Sequence, residues 1–223
     1  RMLAKHKDIA WLSQYSMRSG EIPGRFSFPL ARIINRFGKK FLPHSSNKEF
    51  SLYSKIAPTP TEPHGIWEYI LPLTKEFFYA KDISLTQIEF ARKAFDEECA
   101  AWNKKALIVK LPRLSRAVLV LAKIFPDAYF INIVRDGKAV ALSNRPKFRR
   151  YVDDDMEALK LSALFWQDVV AYVEKAEEDE SISMKHLRYE DFCTDIHGFI
   201  KEILAYIELP LTDDYLNSIP STL

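Results

Sequence analysis

Apolar residues recur along the chain at two spacings, and the switches between them predict its elements. Leu107 to Lys110 begins as a short apolar run, a strand. Pro112 suits the first turn of a helix that continues through Arg113–Phe125. Pro126-Asp127 signals a turn. Tyr129 to Val134 is rich in β-branched and aromatic residues, and it predicts a strand buried on both faces. Arg135-Asp136-Gly137 stops that run, and Lys138 to Ser143 resumes with helical spacing. Asp136 can cap the helix through the orphan N–H groups of its first turn. Asp153 to Ala176 predicts a long helix carrying Leu159, Ala163, Trp166, Val170 and Val173. Ile182 to Leu187 predicts a strand, broken by Tyr189-Glu-Asp191, and Phe199 to Ile207 a helix ending near Pro210. Strands alternating with helices predict an α/β fold with a parallel sheet and right-handed crossovers.

The first half is less regular. Arg1 to Lys7 reads as the end of a helix and Ile9 to Leu12 as a strand. Ser13 to Gly24 reads as a loop, and Phe28 to Phe41 has apolar residues at helical spacing. Pro43 to Pro63 holds four prolines and many hydroxyls, a loop of the kind that covers binding sites. His64 to Leu71 reads as a short helix presenting Trp67 and Tyr69. Ser84 to Lys104 is the clearest helix, with Ser84/Gln87 and Thr86/Glu89 both fitting a capping box. Trp102, Phe165 and Trp166 fall on apolar helical sides and are expected in the core.

Composition narrows the class. The 223 residues suit one domain with a substantial core, and 48% hydrophobic and 28% charged residues are ordinary for a globular chain. A formal charge of +2 provides no global field for nucleic acid or a membrane surface, so an anion site must be a local cluster. No run is long enough to span a bilayer, and no secretory signal pattern follows Arg1–Lys7. Cys99 and Cys193 form neither a disulfide framework nor a metal-type spacing, and Cys99 is expected to be a packed thiol. A reducing, cytoplasmic compartment is the default. The histidines are scattered, and no metal set is expected.

Three predicted strands end in polar groups: Lys110, Arg135 and Arg188-Tyr189. In a parallel sheet these ends share an edge, where open α/β sheets bind ligands. Basic groups beside a helix N-terminus make an anion site. Arg135 can grip a phosphate with two prongs, and Ser143 lies eight residues on, about two helical turns. Equally, Arg135 can pair with Asp136 and Ser143 can be a packed helix hydroxyl. Lys147, Arg149 and Arg150 either extend an anion-binding surface or form a solvated loop.

The segment Phe125-Pro-Asp-Ala-Tyr-Phe-Ile-Asn-Ile-Val-Arg-Asp-Gly-Lys-Ala-Val-Ala-Leu-Ser143 resembles the 3′-phosphate-binding segment of sulfotransferases that use 3′-phosphoadenosine 5′-phosphosulfate (PAPS). There an Arg at a strand end and a Ser eight residues later hold the 3′-phosphate, and Arg135 and Ser143 match in identity and spacing. Lys110-Leu-Pro112 is similar to the family's Lys-x-Pro segment. Leu187-Arg-Tyr-Glu-Asp-Phe192, with Ile207-Glu-Leu-Pro210 after it, resembles the late Tyr-Glu-Asp segment, whose Tyr lies near the adenine. The resemblance covers residues 1–12 and 107–210. It implies a single P-loop-NTPase-like three-layer domain over 1–223, a central parallel sheet flanked by helices, expected to be truncated at its N-terminus and open to truncation at its C-terminus.

It further implies PAPS as donor, PAP as product, no metal, and a small-molecule or glycan acceptor entering at residues 43–72. Arg135, Ser143 and Tyr189 would bind the nucleotide. Sulfuryl transfer needs charge neutralisation and a base for the acceptor proton. Lys110 is the candidate for the first, and His64 or Glu68 for the second; a solvated side chain is the plainer reading of each. The family's phosphosulfate loop has no counterpart among the six glycines, and it is expected just before Arg1. Arg18-Ser-Gly20 reads as a surface turn. Two alternatives share the topology: a nucleotide-binding scaffold without catalysis, and a P-loop nucleotide kinase, which would need a Walker-type lysine that the sequence does not show.

Overall fold

A computed structural model describes residues 2–12, Trp67 and 83–222. The chain divides after Pro112 into two compact units. The expected loop, helix and acceptor-side segments between 13 and 82 lie outside the described residues, Trp67 excepted.

In the first unit a 3₁₀ turn, Leu3–Lys5, stands where a helix end was expected. Strand β1 (Ile9–Trp11) follows and is buried throughout. Helix α1 (Leu85–Trp102) begins at Ser84, whose hydroxyl accepts from the Gln87 N–H while the Gln87 side chain accepts from the Ser84 N–H. That reciprocal pair satisfies two donors at once, so the Ser84 box, not Thr86/Glu89, sets the start. Strand β2 (Ala106–Ile108) lies parallel to β1, with Ala10 level with Leu107. Trp11 and Trp102 pack with ring centroids 4.8 Å apart, in a cluster with Ala4 and Ala10. The Trp11 indole N–H donates to the Ala4 carbonyl at 3.2 Å, so the ring is buried without an unmet donor. Trp67 is also core, 1% exposed and 5.3 Å from the Phe95 ring, rather than presented to a ligand.

The second unit starts with a 3₁₀ turn around Pro112–Arg116 and helix α2 (Val118–Ile124). Strand β3 (Phe130–Val134) pairs in parallel with β4 (Met184–Arg188), Val134 standing level with Arg188. Phe130 packs into a cluster of Val118, Ala176 and Ile182. Ile133, on the other face, is 52% exposed, so β3 is not buried on both faces. Its β-branched residues mark a strand through their own rotamer restriction, which operates whether or not the face is covered.

Between the strands run α3 (Gly137–Phe148) and α4 (Asp155–Glu177), packed along one another. Helix α3 extends through Pro146 into the expected basic loop. Arg145 and Arg149 both reach Asp155 at the start of α4, at 2.7 and 3.9 Å, and Lys147 donates to Asn144. Arg145 and Arg149 therefore hold the turn between the helices. Trp166 on α4 fits against Gly137: a Cβ there would sit 3.0 Å from two ring carbons. Phe165, expected in the core, is 41% exposed and carries the Arg116 guanidinium 4.7 Å from its ring centroid. His186, level with Asn132, bridges Asn132 on β3 and Glu177 at the end of α4. Three short helices complete the unit: α5 (Tyr189–Thr194), α6 (Ile196–Tyr206) and α7 (Asp213–Ser218). Helix α5 occupies the Tyr-Glu-Asp segment that the sequence marks only as the end of a strand.

Candidate functional site

Parallel pairing makes β3 and β4 leave their sheet side by side. With Val134 opposite Arg188, the next residues are Arg135 and Tyr189, then Asp136 and Glu190. The Arg135 guanidinium carbon lies 4.9 Å from the centroid of the Tyr189 ring. The two candidate residues on these strand ends are thus in contact, although 54 positions apart. A cation over an aromatic face is attracted by the ring quadrupole, by about 0.5–1 kcal/mol at an exposed site such as this. A guanidinium carries five N–H donors, so the contact with the ring leaves donors to bind elsewhere.

Asp136 caps α3: its Oδ1 accepts from the Ala139 N–H at 2.8 Å. Its own N–H donates to Glu190 Oε1 at 3.0 Å. The Asp136 N–H, joined by Glu190's own N–H and the nearby Arg188, holds the Glu190 carboxyl below its ordinary range. Two carboxylates therefore occupy donors at the α3 N-terminus, which the sequence marked as part of the anion site. Ser143 is exposed on α3, seven residues from the cap and so within about 20° of it around the helix. It lies on the same azimuth as the Arg135–Asp136 turn.

Lys110 is exposed two residues beyond β2, in the first unit, and Arg135, Ser143 and Tyr189 belong to the second. His64 and Glu68 lie outside the described residues. Among the described residues, no group of three or more His, Cys, Asp or Glu side chains is arranged to hold a metal. No helix there is long and apolar enough to cross a membrane. Sequence reasoning missed Glu190. Its signal was the parallel register, which puts the second residue after each strand level with the other.

Parallel strands joined through helices, with Arg135 and Tyr189 in contact at the ends of β3 and β4, define an α/β class of fold. Residues 1–214 match the model of the sulfotransferase family, and the chain belongs to that family. Among solved structures it is similar to the sulfotransferase STF9 from Mycobacterium avium, with a TM-score of 0.61 and 18% identity over 97% of this chain. That likeness shows the P-loop-like sulfotransferase fold. The chain spans 61% of the length of that relative. No curated protein matches it.

Proposed function

We propose that this chain is the nucleotide-holding part of a sulfotransferase that moves a sulfuryl group from PAPS to a hydroxyl or amine. The observation that carries the reading is the Arg135–Tyr189 cation–ring contact at the paired strand ends. The residues present fit a nucleotide 3′-phosphate. Arg135 offers a planar fork of donors, matched to phosphate oxygens, on an aromatic support. Ser143 adds a hydroxyl on the same side of α3. Tyr189 meets the adenine end. Lys110 neutralises charge on the phosphosulfate oxygens, and His64 or Glu68 takes the acceptor proton. PAPS, when bound, supplies the group transferred. The acceptor is a small molecule or glycan.

Nucleotide titration of the full-length protein by calorimetry tests this. PAP binds more tightly than AMP, which lacks the 3′-phosphate. Arg135→Ala weakens PAP by about 10–100-fold, the worth of hydrogen bonds to a charged group, and leaves AMP nearly unchanged. Equal affinity for PAP and AMP in the wild-type protein refutes the reading. Turnover of PAPS with hydroxylated acceptors then separates an enzyme from a scaffold.

A further inference from the structure

Glu190 sits where it can set the direction of Arg135. The N–H that it accepts from, at 3.0 Å, belongs to the peptide joining Arg135 to Asp136. That peptide is planar, so holding its N–H fixes the plane that ends the Arg135 backbone and begins the cap. Asp136 adopts φ −45° and ψ 124°, the turn from strand into α3. Tyr189, next to Glu190 in the chain, supports the guanidinium of the same arginine. Arg135 is therefore held twice from one dipeptide: its outgoing peptide by Glu190 and its side chain by Tyr189. The Glu190 side chain is 39% exposed and has Arg188 3.9 Å away, which balances its charge.

We propose that Glu190 is a positioning residue for the 3′-phosphate arginine, acting through the Arg135–Asp136 peptide. The inference rests on the nucleotide reading above. A carboxylate beside a phosphate is electrostatically unfavourable, so its presence here is explained by geometry, not by contact with the ligand. The geometric role needs an acceptor oxygen at that reach and does not need the charge. A glutamine carbonyl supplies the oxygen; an aspartate, one methylene shorter, does not reach.

The test compares PAP and AMP affinity in the full-length protein and its Glu190→Gln, Glu190→Asp and Glu190→Ala variants. Glu190→Ala and Glu190→Asp weaken PAP about fivefold, one ordinary hydrogen bond, while AMP changes less than twofold. Glu190→Gln binds PAP as tightly as the wild type or tighter, because the acceptor stays and the repulsion goes. AMP binding also reports that each variant is folded. Unchanged PAP affinity in Glu190→Ala overturns the proposal. So does an equal loss for PAP and AMP, or a Gln variant that behaves like Ala. If instead Arg135→Ala leaves PAP binding intact, the nucleotide reading itself has failed.

Discussion

Gly137 lies tight against the Trp166 ring, and replacing it tests how closely α3 is seated. A Cβ at that position falls 3.0 Å from Trp166 Cη2 and Cζ3 and 3.1 Å from Cε3. Carbon atoms pack best at about 3.5–4.0 Å, so either the rigid indole or the first turn of α3 must give by a few tenths of an ångström. Overpacking of this kind costs about 1–3 kcal/mol. Alanine returns part of it, since glycine is about 0.5–1 kcal/mol worse in a helix interior and less so in a first turn. The expected net loss for Gly137→Ala is about 1 kcal/mol, a fall of about 2–4 °C in melting temperature. The shifted turn also carries Asp136 and the peptide bonded to Glu190, so PAP affinity falls with it. Thermal and urea melts of Gly137→Ala, Trp166→Phe and the double variant provide the check. Phenylalanine lacks the outer six-membered ring of the indole, so it absorbs the added methyl, and the double variant is less destabilised than the two single costs summed. Additive costs, or a Gly137→Ala protein more stable than wild type, would refute the steric argument.

Three further outcomes are expected. In Gly198→Ala the new Cβ would fall 2.2 Å from Asp195 Oδ2, evicting the carboxylate that caps α6 through the Gly198 N–H. The loss is about 1 kcal/mol by urea denaturation, whereas in an Asp195→Ala background the same substitution stabilises, because only helix propensity remains. Burial, with Asp96 and Glu98 adding, pushes the Cys99 thiol up to about 11, and burial pushes Tyr215 up to about 12. Each group ionises later folded than unfolded. Its contribution is thus fully present below the unfolded value and is lost as pH rises through the folded one. Stability should decline from about pH 9 to 12 in denaturant melts. At pH 8 iodoacetamide should label exposed Cys193 well before Cys99, and equal rates would contradict the burial.

What the sequence made legible was local. Helix starts were readable because capping is short-range: Asp136 is bonded to the backbone three residues on, as the chain order suggested. The strand at Phe130–Val134 was readable from its β-branched run, but its exposure was not, because burial depends on what other segments cover. Phe165 shows the same limit. Its place on an apolar helical side is correct as periodicity, yet Arg116 and solvent meet it. Arg135 and Tyr189 were readable as polar ends of two strands on one edge of a parallel sheet, but their contact was not, since it depends on β3 pairing directly with β4. Glu190 needed the register of β3 on β4, a fact of pairing that neither strand's own sequence contains.

The way α3 is capped bears on why the strand-end cation is an arginine. A bare helix N-terminus would attract a phosphate through its N–H groups and dipole. Here the Asp136 N–H goes to Glu190 and the Ala139 N–H to Asp136, and both acceptors bring negative charge. The attraction of the helix end is thereby offset, so a phosphate at this turn must be held by a side chain. Lysine is a strongly hydrated point charge without a planar face, and it gains less from the Tyr189 ring. Arginine can lie flat on the ring and still turn a fork of N–H groups outward. The capped turn and the aromatic floor together therefore favour a guanidinium at position 135. Arg135→Lys should then lose most of the 3′-phosphate affinity while keeping the charge.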